Sequence, residues 1–138
     1  MSNIVLDASV ALAWCFPDEG SDYADEVLTA VAGQTITVPA IWPLEIANAV
    51  LVGERRRRVK ALEISRFAAL LEELSIVQDS YSFTETIDRV LPVARDCNLA
   101  AYDAAYLELA LRQNAPLATL DVDMQRAARR MGIPRFPR

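Results

Sequence analysis

The chain contains no histidine among its 138 residues, and that absence removes much of the common catalytic repertoire. Histidine is the side chain whose unperturbed pKa best suits proton transfer near neutrality. Without it, a Ser-His-Asp or Cys-His nucleophile, a histidine-based metal-free ribonuclease and an HExxH metalloprotease are all excluded. Cysteine is nearly as scarce. Cys15 and Cys97 stand apart in apolar surroundings with no CxxC spacing, which predicts buried free thiols rather than a disulfide or a zinc site. Neither GxGxxG nor GxxxxGK[ST] occurs, so no phosphate-cradling nucleotide loop is signalled. No apolar run approaches the roughly 18 positions of a membrane span, and no basic segment leads into an apolar stretch at the start, so a cytoplasmic protein is expected.

Positive charge is missing from a whole section of the chain. Residues 1–54 hold no Lys or Arg and eight acids, a balance of −8, whereas residues 55–138 hold fourteen bases and eleven acids, a balance of +3. The net charge of −5 taken alone argues against a nucleic-acid partner. The bases, however, cluster at Arg55–Arg58 with Lys60, and again at Arg126, Arg129, Arg130, Arg135 and Arg138. Each cluster reads either as a solvated, dipole-favourable helix end or as a contact to a nucleic-acid backbone.

What the chain has is apolar content, 53% of its residues, enough for one domain over residues 1–138 with a substantial core. Ile4-Val5-Leu6 predicts a first buried strand, ended by Asp7 and followed by the turn signal Phe16-Pro17-Asp18-Glu19-Gly20. Ser21 or Asp22 caps a helix to about Val31, Gly33 closes it, and Thr35–Val38 form a second strand. Helices are expected over Pro43 to about Arg57 and along the stripe Ile64, Phe67, Ala68, Leu71 and Leu74, read most simply as core. Ser75–Gln78 reads as a strand, Phe83–Asp96 as a helix with Pro92 a kink or break, and Ala104–Gln113 as an apolar helix. Leu117–Leu120 is a further strand, Met124–Met131 a last helix, and Pro134–Pro137 a short edge strand. This alternation predicts an α/β fold with a mostly parallel sheet of four to five strands and helices on both faces.

In an open α/β sheet the ligand crevice lies beyond the carboxyl ends of the strands. Asp7 and Asp121 each directly follow an apolar strand and should point there, with a helix N-cap as the alternative for Asp121. Asp123 reads as a first-turn dipole partner or an auxiliary ligand. Glu45 sits among apolar neighbours in Ile41–Asn48, and Asp103 is the only charge in Leu99–Leu107. An N-cap is the alternative for Asp103 too, although Tyr106 stands where a capping box would place Glu or Gln. These segments offer no Lys or Arg as partner, and acids are rarely buried unpaired. Four carboxylates within about 5 Å would repel by roughly 3 kcal/mol per ionised pair at an effective dielectric near 20. Such a cluster needs a cation. Carboxylates are hard ligands suited to Mg²⁺ or Mn²⁺, whose bound water can replace the missing base in cutting a phosphodiester. Ser9, Asn48 and Thr119 could orient the ligands through hydrogen bonds.

The order and context of these residues resemble the PIN-domain nucleases, and among them the VapC-type ribonuclease toxins of bacterial toxin–antitoxin pairs. The resemblance runs over essentially the whole chain. It is carried by Val5-Leu6-Asp7-Ala8-Ser9, by Trp42–Val50, by Tyr102–Ala110 and by Leu117-Ala118-Thr119-Leu120-Asp121. It implies a PIN fold with Asp7, Glu45, Asp103 and Asp121 as catalytic and metal-binding quartet, and Asp123 nearby. It also implies Mg²⁺- or Mn²⁺-dependent endonucleolytic cleavage of tRNA, rRNA or mRNA, a homodimer, and a cognate VapB-type antitoxin whose C-terminal segment blocks the site. With that likeness, the Ile64–Leu74 stripe becomes a candidate antitoxin groove or dimer face.

The nearest enzymatic alternative is a phosphatase of the haloacid-dehalogenase type, which also carries Asp after its first strand. That site pairs the nucleophile with a second Asp two residues on, where this chain has Ser9. A non-catalytic protein-binding module, with the acids only caps and surface charges, is the remaining alternative.

Overall fold

The computed structural model describes residues 2–138. Four strands, β1 (Asn3–Leu6), β2 (Thr35–Pro39), β3 (Ser75–Asp79) and β4 (Leu117–Ala118), form a parallel sheet in the order β3-β2-β1-β4. Val5 of β1 pairs with Thr37 of β2 on one side and with Leu117 of β4 on the other. Ile4, Val5 and Leu6 are each wholly buried. Successive strand residues point to opposite faces, so both faces of the central strand are covered. The expected C-terminal edge strand is reduced to one parallel bridge between Leu117 and Arg135. The Leu117 N–H donates to the Pro134 carbonyl at 2.9 Å, and the Phe136 N–H to the Leu117 carbonyl at 3.0 Å.

The helices are α1 (Ala8–Cys15), α2 (Asp22–Ala30), α3 (Trp42–Arg55), α4 (Ala61–Glu73), α5 (Phe83–Glu85), α6 (Leu91–Cys97), α7 (Ala101–Arg112) and α8 (Val122–Arg130). Helix α1 was not expected. Five of its eight residues are buried, on more than one side, so the segment shows no polar face and no helical period to read. Its end is legible in retrospect. Phe16 is extended at φ −93°, ψ 116° because the residue before Pro17 is pushed out of the α region.

Other boundaries follow the local chemistry. Ser21 caps α2 by accepting the Ala24 N–H at 3.0 Å, and Gly33 at φ +74° closes the turn behind it. The predicted kink near Pro92 is a π turn over Thr86–Val90, after which α6 starts with the proline in its first turn. There the missing N–H costs nothing, since a helix start has no partner for it. Helix α7 begins three residues earlier than predicted and packs on β1 and β2; it buries seven consecutive residues from Ala104 to Ala110.

Two expectations need correcting. Of the Ile64–Leu74 stripe only Phe67 is fully buried; Ile64, Leu71 and Leu74 are half-buried against the core and Ala68 is exposed. With Trp42, Ile46 and Val50 of α3, the stripe residues Ile64, Phe67, Ala68 and Leu71 line an open apolar groove of about 500 Å³. Cys15 is a buried free thiol, but Cys97 is only half-buried, at the end of α6. Among the described residues no helix is long and apolar enough to cross a membrane.

The basic run after α3 is partly structural. Arg57 turns the chain at φ +58°. The Arg58 guanidinium lies 4.5 Å from the centre of the Phe16 ring and reaches Asp18 at 3.0 Å and Glu19. Phe16 is thereby pressed against α3, where a Cβ at Gly53 would stand 2.2 Å from its ring. Ordinarily Gly→Ala inside a helix stabilises by about 1 kcal/mol. Here overpacking, at about 1–3 kcal/mol, should reverse the sign. Gly53→Ala is predicted to lower the melting temperature by a few degrees, with Phe16→Leu in the same chain recovering part of the loss. A raised melting temperature for Gly53→Ala alone would show that the ring can slide.

Candidate active site

Because the sheet is parallel, the carboxyl ends of β1 and β4 share one edge, and α1 and α8 start from it. Asp7 is the residue between β1 and α1. It is only 6% exposed, and its N–H donates to the Ala118 carbonyl of β4 at 2.9 Å. It occupies the N-cap position of α1 without making a side-chain cap bond. Its carboxylate is engaged elsewhere. Oδ2 accepts the Ser9 hydroxyl at 2.6 Å and the Thr119 hydroxyl at 2.8 Å. Those hydroxyls in turn accept the N–H groups of Leu120 and Asp121, each at 3.0 Å. The segment after β4 is thus tied to one oxygen of Asp7, while Oδ1 takes no side-chain hydrogen bond.

Asp121 is the N-cap of α8, its Oδ1 accepting the Met124 N–H at 3.0 Å. The capping alternative therefore holds as geometry, and it occupies one oxygen. Glu45 lies in the first turn of α3, half-buried, with Oε1 accepting the Tyr106 hydroxyl at 2.7 Å. Asp103 lies in the first turn of α7, whose N-cap is Ala100; the N-cap alternative for Asp103 does not hold. Each of these acids is at or just inside a helix start, where the unpaired N–H groups favour negative charge.

That help is incomplete. Burial is the leading cause that holds the Asp7, Glu45 and Asp103 carboxyls above the usual carboxylate range. Charge adds to it. Asp121 acts on Asp7; Asp7 and Asp103 act on Glu45; Asp121, Asp7 and Asp123 act on Asp103. Every charged neighbour acting on these three groups is another acid. The Tyr106 phenol, fully buried, is pushed up as well, first by burial and then by Asp7.

The structure therefore sets Asp7, Glu45, Asp103 and Asp121 in one another's field. Asp123 is peripheral: its side chain is 73% exposed and 3.9 Å from Arg126. Asn48 is exposed on α3 and lies outside the hydroxyl network that Ser9 and Thr119 form. Tyr106 was not anticipated as a site residue, since in the sequence it is one more apolar position of a buried helix. The donors suit a hard divalent ion: carboxylate oxygens with hydroxyl support and no competing Lys or Arg. Among the described residues no three acids are drawn tightly enough to clasp an ion as they stand. The cleft is distinct from the α3–α4 groove and from a cavity beyond Thr119.

A family model described as PIN domain matches residues 4–130. Ribonuclease VapC3 of Pyrobaculum aerophilum is 28% identical over 118 residues, 86% of this chain and 88% of that protein. Ribonuclease VapC9 of Mycobacterium tuberculosis is 29% identical over 119 residues, 86% of each chain. In three dimensions the chain is similar to the crystal structure of PAE2754 from Pyrobaculum aerophilum, with a TM-score of 0.67 at 23% identity, covering 91% of this chain and 79% of that one. It is also similar to VapBC2 from Rickettsia felis, solved bound to a DNA fragment from the promoter, with a TM-score of 0.59 at 15% identity over 91% and 92% of the two chains.

The clustered acids have a consequence for stability. A carboxyl whose pKa is raised by folding contributes stability that is present below its unfolded value, about 4, and lost as pH rises through the folded value. In metal-free buffer the melting temperature should therefore climb as pH is lowered from neutrality toward that range. Asp7→Asn should raise the melting temperature at pH 7 and flatten the climb, because an amide keeps the acceptor for Ser9 and Thr119 and loses the buried charge. Lower stability for Asp7→Asn in thermal melts at pH 7 would contradict this account.

Proposed function

The chain belongs to the PIN-domain family, and from that premise we propose that it is a Mg²⁺-dependent endoribonuclease toxin, with Mn²⁺ a substitute, that hydrolyses phosphodiester bonds in RNA and is neutralised by a cognate VapB-type antitoxin. The observation that carries the reading is the uncompensated acid cluster: Asp7, Glu45, Asp103 and Asp121 act on one another with no cationic side chain among the causes. A stable fold has little reason to gather such charge unless a cation completes it. The names of the relatives, ribonucleases of the VapC type, give the substrate class.

A divalent ion held by these oxygens would lower the pKa of a bound water and offset charge on the scissile phosphate and its leaving oxygen. The chain's own residues do the rest. Ser9 and Thr119 fix the rotamer of Asp7 by loading both hydrogen bonds on Oδ2, which keeps Oδ1 available as a ligand. Tyr106 does the same for Glu45 through Oε1. Asp121 offers the oxygen that capping leaves over, and Asp123 is at most an outer ligand. Only acids act on the cluster, so an RNA phosphate approaches productively once the cation is bound.

The antitoxin and a homodimer are parts of the same reading. The open α3–α4 groove, lined by Trp42, Ile46, Val50, Ile64 and Leu71, is the apolar surface that suits such a partner. The phosphatase alternative is weaker, since Ser9 in this chain holds Asp7 rather than supplying a second carboxylate.

Purified protein should cleave RNA with Mg²⁺ or Mn²⁺ and stop when EDTA is added; cleavage indifferent to chelation would sink the metal mechanism. Ser9→Ala or Thr119→Val should cost about 10–100-fold in rate. Asp7→Asn and Asp103→Asn should lose more than that while remaining folded. Phosphate released from small phosphomonoesters without any RNA cut would favour the phosphatase.

A further inference from the structure

A cavity of about 270 Å³ opens beside Thr119, between Tyr23 of α2, Gln125 and Arg129 of α8, and Arg135 of the C-terminal segment. Thr119 belongs to both places, because its hydroxyl is bonded to Asp7 at 2.8 Å. The cavity therefore begins one side chain from the most buried acid of the cleft.

Its charge is opposite to that of the cleft. Among the described residues neither Arg129 nor Arg135 forms an ion pair. Other arginines are engaged: Arg126 faces Asp123, Arg130 reaches the Asp96 carbonyl at 3.4 Å, and Arg58 is spent on Asp18 and Glu19. The cavity wall is also organised for a flat group. Arg135 lies 4.4 Å from the centre of the Tyr23 ring, and that ring is pinned by its hydroxyl, which donates to the Phe136 carbonyl at 2.5 Å. One guanidinium face is thus stacked on the ring, and Arg135 as a whole is exposed. Gln125 donates to the Thr119 carbonyl at 2.9 Å, which leaves its Oε1 as an unclaimed acceptor.

Small-molecule pockets run from roughly 300 to 1,000 Å³, so this cavity has room for little more than one base. Arginine matches phosphate oxygens with its fork and stacks on planar bases. Only acids act on the cleft, so a strand whose scissile phosphate lies there gains from the unpaired cations that line the cavity beyond Thr119. We propose that this cavity is a nucleotide subsite, taking the base and phosphate of a residue that adjoins the scissile phosphodiester in single-stranded RNA. The inference rests on the ribonuclease reading and adds to it the residues that grip the strand: Arg129 on phosphate, and Arg135, backed by Tyr23, on the base.

The test uses a short fluorescent single-stranded RNA, bound with Ca²⁺ in place of Mg²⁺ and read by anisotropy, alongside steady-state cleavage in Mg²⁺. Arg129→Ala and Arg135→Ala should each weaken binding by roughly five- to tenfold, and Arg129→Ala should lower the salt slope of binding by about 0.7. Both should raise KM, leave kcat within about twofold and leave the melting temperature unchanged. Arg129→Lys should restore most of the phosphate affinity. Arg56→Ala, an exposed change of the same charge elsewhere, should bind as wild type; an equal loss there would reduce the effect to net charge and overturn the subsite. A double Arg129→Ala/Arg135→Ala protein that binds and cleaves with unchanged KM would overturn the subsite while leaving the ribonuclease reading intact. Wild-type protein that neither binds nor cleaves RNA would overturn both.

Discussion

A parallel sheet has two unlike edges, and this structure depends on the one where strands end. Strands β1 and β4 stop there side by side; α1 follows after Asp7 alone, and α8 after three linking residues. A residue at such a junction has its backbone fixed by the sheet and its side chain aimed past it. Asp7 is held in that way on both counts, by its N–H to Ala118 and by its place between β1 and α1. Glu45 and Asp103 enter the same space from the first turns of α3 and α7. The convergence of helix starts makes the edge tolerant of anions, which allows acids to be collected there without unfolding the chain.

Tolerance is not neutrality. Hydroxyl donors and helix starts lower the cost of ionising Asp7, yet burial still outweighs them and its carboxyl stays raised. The hydroxyl network has a second effect, which is positional. Ser9 and Thr119 link the start of α1 to the segment after β4 through one carboxylate oxygen, so the rotamer of Asp7 and the path of the chain into α8 are set together. A charge that destabilises the metal-free fold is thus also a structural tie, and a bound cation would relieve the first role without disturbing the second.

The bases are put to different uses that the charge pattern alone does not separate. Arg58 stacks on Phe16 and pairs with two acids, so it belongs to the packing of α1 and α3. Arg112 is drawn into a cluster with Asp79, Glu108 and Tyr81. Arg129 and Arg135 are left beside a cavity that touches the acid cleft. Net charge, which is negative, says little about such an arrangement; the placement of the unpaired arginines says more.

The sequence by itself determined the order of the elements and which chemistries its side chains exclude. Absence of histidine leaves carboxylates as its plentiful ionisable groups, and apolar runs ending in acids mark where strands meet a crevice, because periodicity and burial of charge are local signals. It also singled out Asp7 and Asp121 by their place after apolar strands, and Glu45 and Asp103 by their apolar neighbours. Helix α1 stayed hidden because a helix buried on more than one side has no polar face to give it a period. Tyr106 stayed hidden because a hydroxyl that meets Glu45 from sixty-one residues away looks, in the chain, like core. Only the tertiary structure decided that Asp121 caps α8 as well as facing the acids, that Asn48 stands outside the network, and that Ile64, Ala68 and Leu71 line a groove while Phe67 alone of the stripe is fully buried. Each of these depends on which elements lie opposite one another across the sheet, and that is a property of packing between distant segments.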